Sequence, residues 1–301
     1  MKLVKPSFEI WNQPAGLEGV YKQIERVGRV CYKSEDKITE DSAKPFVDRM
    51  IKSGHGAMLE HGTVYLQYEV VKSAINPLTK YYLNKYSKVK AKEGVIGETM
   101  RLFVTTNLRV LVENNWLKDL EYICEPTEFH ERRVTVHFVC DRGVSHEFVR
   151  HRVMSFAQES TRYCNYSKDK FGNELTFIKP CWLDIPTGQY VYWDGDWCDV
   201  DKMKIQLPEG EHKDIDAFLW TLNNAETHYT LLINSGWKPQ EARAVLPNSL
   251  KTELVVTGFT SDWNHFFDLR ARGTTGAPHP QAKELAEPLM KEFIARKYIN
   301  N

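Results

Sequence analysis

The chain has 301 residues, and its 40 Lys and Arg residues balance its 40 Asp and Glu residues. That balance argues against bulk electrostatic binding to nucleic acid or to an anionic membrane, although it allows a small, concentrated anion site. The first ten residues, MKLVKPSFEI, do not form a signal-peptide pattern. No apolar run approaches the length of a membrane span, which is about 20 residues. We therefore expect a soluble, cytoplasmic protein.

The cysteine pattern excludes two further classes of protein. Six cysteines are scattered along the chain without a CxxC pair: Cys31, Cys124, Cys140, Cys164, Cys181 and Cys198. In a chain of this length, such scatter is typical of free thiols in a reducing compartment, and neither a disulfide framework nor a zinc site is predicted.

The N-terminal half begins with two predicted helices. Apolar residues at helical spacing place the first over about 17–27 and the second over about 41–54. Alternation of apolar and polar residues then predicts one strand over 64–70 and another over 134–140. The segment between these strands, about 75–130, is rich in Lys and Tyr, and we interpret it as a mostly helical insertion.

The C-terminal half has the clearest periodicity of the chain. A continuous apolar stripe predicts a long helix over 215–233, and Pro239 then stands at a plausible first turn of another helix. The last predicted helix covers about 281–298, with Pro288 at its start or at a kink. Residues 181–212 show no period, and we interpret them as irregular or short-stranded. The chain as a whole is predicted to be α+β, with few strands and many helices.

The most informative segment is VRHRVMSFAQESTRY, residues 149–163. It concentrates cations and hydroxyl groups: Arg150, His151, Arg152, Arg162, Ser155, Ser160 and Thr161. Guanidinium groups match a phosphate in bidentate fashion, and hydroxyls in a turn complete an anion cradle. One alternative is a surface turn whose arginines pair with Glu147 and Glu159. Another is contact with RNA through an arginine-rich patch, which the neutral net charge disfavours.

Two more arginines lie in apolar helical surroundings, Arg243 in PQEARAVLP and Arg270 in DWNHFFDLRAR. Spacing alone favours a structural role, in which each arginine forms an ion pair or extends its charged end to solvent. Either side chain could instead direct a charge into a pocket.

Four ordered blocks of the sequence resemble the flavin-dependent thymidylate synthase family. They are GHGAMLEH (54–61), RHRVMSFAQESTRY (150–163), EARAVLP (241–247) and HFFDLRAR followed by HPQAKEL. The resemblance implies an α+β fold with a small mixed sheet flanked by helices, in one domain that spans residues 1–301. The unmatched segments, about 70–130 and 166–212, are then insertions in that domain. It also implies a homotetramer whose active sites lie between subunits, with no nucleic acid or membrane partner.

The same resemblance implies a set of site residues. Arg270 would be the catalytic group that favours the ionised form of the uracil ring. The dUMP contacts would be Glu147, Arg150, Gln158, Glu159, Ser160, Thr161, Arg162, Arg243 and Arg270. The FAD contacts would be His55, Arg150, His151, Arg152, Gln158 and His265. No residue is predicted to bind a metal.

The implied reaction is the reductive methylation of dUMP to dTMP, with methylenetetrahydrofolate as carbon donor and NADPH as reductant through bound FAD. A fixed Arg charge can stabilise the negative charge that develops on the ring, and a cofactor must supply the hydride. Rival interpretations are a synthase that uses Cys181 as nucleophile, a metallohydrolase built on His55, Glu60 and His61, and a nucleotide- or RNA-binding module without catalysis.

Overall fold

The computed structural model describes residues 1–71, 79–93, 98–208 and 213–300. These residues form an α+β fold, as predicted from the sequence. The strands are β1 (Lys2–Val4), β2 (Ser7–Trp11), β3 (Thr63–Val71), β4 (Lys88–Glu93), β5 (Thr99–Asn107), β6 (Arg133–Asp141), β7 (Ser155–Gln158), β8 (Thr176–Ile178), β9 (Gly188–Gln189), β10 (Val191–Trp193), β11 (Asp196–Cys198) and β12 (Lys251–Phe259).

The α-helices differ widely in length. They are α1 (Gly16–Tyr32), α2 (Ala43–Lys52), α3 (Gly56–Leu59), α4 (Thr79–Tyr82), α5 (Leu108–Glu113), α6 (Arg142–Phe148), α7 (Lys213–Asn234), α8 (Pro239–Ala242), α9 (Thr260–Phe267) and α10 (Pro280–Ala295). Within the described ranges, no helix is both long enough and apolar enough to cross a membrane.

The central sheet is antiparallel and has the strand order β2-β6-β12-β7. Alternate residues of β6, among them Val136 and Phe138, are fully buried, which is the period of two that the sequence predicts. This face of the sheet packs against α9 and α10 through a core that contains Trp263, Phe267 and Phe293. The opposite face packs against α1. The sheet is therefore buried on both sides, and its strand ends position the segments that follow.

The prediction for residues 75–130 is wrong in its main point, because the described part of this segment contains two strands. β5 pairs with β3 on one side and with β4 on the other, so the three strands form an antiparallel sheet. β4 has the sequence KVKAKE and is almost entirely exposed. Lys and Ala favour helices in isolation, but Lys is also typical of an exposed sheet edge, and here pairing with β5 decides the conformation. Residues 72–78 and 94–97 lie outside the described ranges.

A third sheet, with the order β8-β1-β9, contains the one parallel pair among the named strands, β1 with β8. It belongs to a core that includes Leu219, Leu222 and Tyr229 of α7, the helix with the clearest sequence period. Between 181 and 208 the chain forms only strands of two or three residues, as predicted, and 209–212 are outside the described ranges. The predicted helix beginning at Pro239 has only four α-helical residues, and Pro288 lies inside α10.

Candidate active site

Arg270 lies in a π-helical turn, Asp268–Arg272, that continues directly from α9. The aromatic residues of α9 are buried in the core, which fixes the helix against the central sheet. Gly273 ends the turn with φ of +70°, and an added Cβ there would lie 2.9 Å from the Gly276 carbonyl oxygen. Insertions of this π type recur at functional sites because they re-aim side chains. The turn directs Arg270 towards the end of α6.

All three nitrogens of the Arg270 guanidinium have a partner. Nη1 donates to Glu147 Oε2 at 2.5 Å, and Nη2 donates to the Glu147 carbonyl oxygen at 3.0 Å. Nε donates to His151 Nε2 at 3.1 Å. We call this arrangement the Arg270 clamp. It holds a permanent cation in one orientation, as catalysis by a fixed charge requires.

His151 completes the clamp as a neutral imidazole. Burial, with added repulsion from Arg270 and His265, lowers the pKa of His151 to about 4. Because Nε2 accepts a hydrogen bond from Arg270, the ring proton lies on Nδ1. The His265 ring lies 6.0 Å from the His151 ring, and the Phe266 ring lies 4.9 Å from it. Four of the residues predicted from the family resemblance, Arg270, Glu147, His151 and His265, are thus brought into one cluster.

Buried charged residues hold the segment after β7 in place. Glu159 is 1% exposed, and its carboxylate accepts hydrogen bonds from Tyr166 Oη at 2.9 Å and Lys251 Nζ at 2.9 Å. Lys251 also contacts Glu253, which in turn binds Lys33 at 2.8 Å. Burial alone would raise the pKa of Glu253, but hydrogen bonds and charges from its partners outweigh burial and hold the pKa far below its usual range. These residues form the inner network.

The inner network limits what Glu159 can do for a ligand. Both carboxylate oxygens already have protein partners, so a nucleotide could meet this residue only through its backbone. Gln158 is also engaged, because its Nε2 donates to Ser145 Oγ at 2.8 Å and to Thr252 Oγ1 at 3.2 Å. Ser145 is in α6, two residues before Glu147. Gln158 therefore connects residues 149–163, which we call the signature segment, to helix α6, which carries Glu147 of the Arg270 clamp.

The arginines of the signature segment do not pair with Glu147 or Glu159, so the surface-turn interpretation is wrong. Arg150 and Arg152 are exposed, and neither has an ion-pair partner in the part of the chain that the structure describes. They flank His151 in a turn that continues into Val153, whose φ is +80°. A β-branched residue in this region is strained, and such strain tends to be found at functional sites.

A second group of cations lies where the C-terminal end of the signature segment meets the segment that contains Arg243. Arg243 Nη1 donates to Thr161 Oγ1 at 3.2 Å, and Arg162 Nε donates to Gln240 Oε1 at 3.1 Å. Ser160 Oγ accepts a hydrogen bond from the Arg162 amide at 3.3 Å. Neither arginine contacts a carboxylate of the described residues. Arg243 and Thr161 line an open cavity of about 320 Å³, together with Arg142. Hydroxyls and unpaired guanidinium groups are the donors that a phosphate requires.

Helix α6 links the two groups. Arg142 at its first position lines the cavity with Arg243, and Glu147 near its end holds Arg270. Five residues of α-helix separate these positions by about 7.5 Å along the axis. The Asp141 carboxylate caps the helix by accepting from the Val144 amide at 2.7 Å. One short, capped helix thus fixes the spacing between the cations that line this cavity and the clamped charge of Arg270.

Other predicted residues lie elsewhere. His55 is exposed and occupies the N-cap position of α3 without a side-chain capping bond, and it lines a different cavity. His61 is fully buried and its Nδ1 lies 2.8 Å from Thr257 Oγ1, so His55 and His61 do not face a common point. Across the described ranges, no group of three or more His, Cys, Asp or Glu residues is arranged to hold a metal. Cys181 is an exposed thiol whose pKa is raised by partial burial and Glu284, the opposite of an activated nucleophile.

Several residues at the site were not predicted from the sequence: Arg142, Gln240, Lys251 and Glu253. The signal for the last two was available in the strand KTELVVTGF, where two charges two residues apart share one face of an otherwise apolar strand. Such a pattern indicates buried charges with partners. Gln240 directly precedes the quoted EARAVLP block, but nothing in its spacing identifies Arg162 as its partner.

Comparisons with known proteins identify the family of the chain. A family model described as thymidylate synthase complementing protein matches residues 95–296, more than half of the chain. The flavin-dependent thymidylate synthase of Pyrococcus furiosus is 30% identical over 163 residues, which cover 53% of each chain. That of Corynebacterium aurimucosum is 22% identical over 284 residues, covering 93% of this chain and 78% of the relative. The match to the Pyrococcus relatives spans about half of their length.

Among solved structures, the chain is similar to the UMP/dUMP methylase PolB from Streptomyces cacaoi bound with 5-Br dUMP. It is 17% identical, with 98% of this chain and 93% of that chain covered, and its TM-score of 0.43 is too low to support an assignment. The family match, which covers residues 95–296, does support an assignment to a family. This chain belongs to the thymidylate synthase complementing protein family.

Proposed function

We propose that this protein converts dUMP to dTMP by reductive methylation of the uracil ring. In this proposal methylenetetrahydrofolate donates the carbon, NADPH is the reductant, and FAD is the bound cofactor. The observation that carries the proposal is the Arg270 clamp, in which every guanidinium nitrogen at one end of α6 has a hydrogen-bond partner. At the other end of α6, Arg142 and Arg243 line a cavity and have no carboxylate partner among the described residues. Relatives named flavin-dependent thymidylate synthase support the same conclusion.

Arg270 would activate the ring. Methylation of a pyrimidine carbon requires that carbon to become nucleophilic, which places negative charge on the ring. A guanidinium stays protonated at any working pH, so Arg270 can stabilise that charge throughout the reaction. The neutral His151 fixes the Nε side of the group and adds no second positive charge. No thiolate is needed, in agreement with the raised pKa of Cys181.

The nucleotide would be oriented from its phosphate. Arg162 and Arg243 carry charges without carboxylate partners among the described residues, and Ser160 and Thr161 supply hydroxyls beside them. A guanidinium bound to phosphate is a charge-assisted contact, worth about 1.5–3 kcal/mol. Gln158 and the backbone of Glu159 continue this row of donors and acceptors towards α6. Arg150 would reach the nucleotide from the neighbouring turn.

The residues present fit a flavin dinucleotide. Arg150 and Arg152 are exposed, lack carboxylate partners in the described ranges and flank His151, so two free cations are available for a diphosphate. His265 and Gln158 would complete the contacts in this cluster, and His55 would approach from α3. When bound, the flavin supplies the hydride that side chains cannot supply. The roles of the protein are to hold it, orient the nucleotide and fix Arg270.

The proposal includes an assembly. We infer a homotetramer with active sites between subunits, in which each chain is one synthase domain with insertions at about 70–130 and 166–212. Two observations support shared sites: the arginines are exposed without carboxylate partners in the described ranges, and His55 lies apart from the Arg270 clamp. Within one chain, neither the arginines nor His55 are covered, so a second subunit could complete the site.

The test begins with the visible absorption spectrum of the purified chain after addition of FAD. Addition of NADPH without air should bleach a bound-flavin spectrum, and addition of dUMP and methylenetetrahydrofolate should then yield dTMP. The Cys181→Ala variant should retain this turnover, which separates the reaction from a thiol-dependent one. Absence of bound flavin would contradict the proposal and would favour a nucleotide-binding module without catalysis.

A further inference from the structure

A basic cavity lies between the C-terminal ends of α1 and α2. Its volume is about 510 Å³, and it is open on one side. We name it the basic basin and define it by Tyr32, Lys33, Lys37, Arg49, His55 and Lys170. Its lining also includes Phe46 and Met50, which are buried and form an apolar floor.

The basin has an excess of positive charge. Lys37, Arg49 and Lys170 have no carboxylate partner in the described part of the chain, and Asp36 is the one acidic residue in the lining. Lys170 Nζ donates only to the Lys33 carbonyl oxygen at 3.1 Å. Arg49 rests 5.5 Å from the Phe46 ring. Cations gathered in a concave site repel one another, so an anionic ligand would be stabilised there.

The basin adjoins both predicted ligand sites. His55, a predicted flavin contact, is part of its wall. Tyr32 packs against Tyr163 of the signature segment with a ring separation of 5.2 Å. Lys33 joins the inner network through Glu253. A ligand whose reacting end lies beside the flavin could therefore extend its other end into this cavity.

The dimensions favour a chain of charges over a single ion. One phosphate would leave most of a cavity of about 510 Å³ unused, whereas cations contributed by three separate segments are spaced for several anionic groups. Arg favours planar carboxylate or phosphate groups, and Lys provides point charges.

We propose that the basic basin binds the anionic tail of a cosubstrate, a chain of phosphates or carboxylates. The proposal rests on the proposed function and names the part of the protein that receives a cosubstrate. Two sources carry this chemistry: the phosphates of NADPH and a chain of glutamyl carboxylates on the folate. The shared requirement is two or more negative charges at the end remote from the reacting atoms.

The first experiment measures binding without turnover. Inorganic tripolyphosphate and a penta-γ-glutamate peptide are titrated calorimetrically into the full chain and into the double variant Lys37→Gln/Arg49→Gln. At least one probe should bind at least tenfold more weakly to the double variant and lose affinity as salt is raised. Lys52→Gln is the matched control, because Lys52 is an exposed cation on α2 outside the basin. Equal binding by the double variant and wild type would overturn the proposal.

The second experiment identifies the source. KM values are compared for NADPH against NADH and for monoglutamyl against pentaglutamyl methylenetetrahydrofolate. The double variant should raise KM about tenfold for the cosubstrate that uses the basin and leave kcat unchanged. Unchanged KM for both cosubstrates would refute the assignment. If the wild type shows no turnover, the proposed function fails while the calorimetric experiment still decides whether the basin binds polyanions.

Discussion

The charges of the signature region fall into two groups with opposite environments. The inner network (Lys33, Glu159, Lys251, Glu253 and Tyr166) is mostly buried, and each charge has an opposite partner. The outer cations (Arg150, Arg152, Arg162 and Arg243) are exposed and lack carboxylate partners among the described residues. Charged residues close in sequence therefore have different tasks. The inner charges fix the shape of the segment, and we propose that the outer charges bind the ligand.

The difference separates stability from binding. Removing one partner of a buried ion pair leaves an uncompensated charge, which costs about 3–5 kcal/mol. Removing an exposed, unpaired cation costs the fold almost nothing and can relieve repulsion. Substitutions in the inner network should change unfolding, and substitutions of the outer cations should change ligand affinity.

The largest effect is expected for Lys251→Met, which leaves Glu159 and Glu253 without their shared cation. The free energy of unfolding should fall by about 3–5 kcal/mol in urea titrations. The double variant Lys251→Met/Glu159→Gln should recover part of that loss. Lys283→Met is the control, because Lys283 forms only an exposed pair with Glu287, worth less than about 1 kcal/mol. A loss no larger than that of the control would show that the inner network does not support the fold.

The next effect concerns the outer cations. Arg162→Ala and Arg243→Ala should each raise KM for dUMP by about 10- to 100-fold, because each removes a charge-assisted contact worth about 1.5–3 kcal/mol. Their unfolding free energies should stay within about 0.5 kcal/mol of wild type. Arg296→Ala, which breaks an exposed pair with Glu292, is the matched control. Unchanged dUMP affinity in both variants would remove the distinction between the two groups.

A smaller effect is expected from pH. Burial, with repulsion from Arg133, lowers the pKa of His61 to about 3. The folded chain then binds fewer protons than the unfolded chain below the ordinary pKa of 6.5, so stability falls as pH falls. The expected slope is about 1.4 kcal/mol per pH unit from this residue. His61→Gln should flatten the profile between pH 6 and 4; an identical slope would contradict the buried neutral state.

Val153→Gly should have the smallest effect. Glycine accepts φ of +80° without strain, which relieves about 1–3 kcal/mol, but its greater backbone freedom in the unfolded chain offsets about 0.5–1 kcal/mol of that. A net stabilisation of about 1 kcal/mol is expected in thermal melts. Val149→Gly is the control. Val149 has an ordinary φ of −66°, so this variant should be less stable than wild type. Destabilisation of both variants would show that the turn is not strained.

Sequence patterns predicted correctly the helices and strands that bury one face, because the buried face sets a regular spacing of apolar residues. α7 and β6 match their predicted ranges closely. In β6 every second residue packs against the core, and in α7 every third or fourth residue does. β4 did not match, because its conformation depends on pairing with β5 and not on its own Lys-rich composition. No pattern in the sequence indicates the π-helical turn at Arg270, because that turn depends on packing around α9.

Some residues of the candidate site were named from the sequence, but their contacts were not. Family resemblance singled out Arg270, Glu147 and His151, yet Arg270 and Glu147 are 123 residues apart and nothing local predicts their pairing. Lys33 and Glu253 are 220 residues apart and were not singled out at all. Long-range pairs of charges are determined by tertiary packing, so a sequence pattern can name the participants without naming the partners.

The central claim is that the clamped charge of Arg270 activates the uracil ring. The most direct test is the release of tritium from dUMP labelled at the carbon that is methylated, measured at saturating FAD. Arg270→Ala should keep the bound-flavin spectrum and lose about 100- to 1,000-fold in rate, the cost of one electrostatic donor in the transition state. Arg272→Ala, which removes a pair with Asp268 in the same turn, should release tritium at nearly the wild-type rate. Wild-type tritium release by Arg270→Ala would contradict the claim.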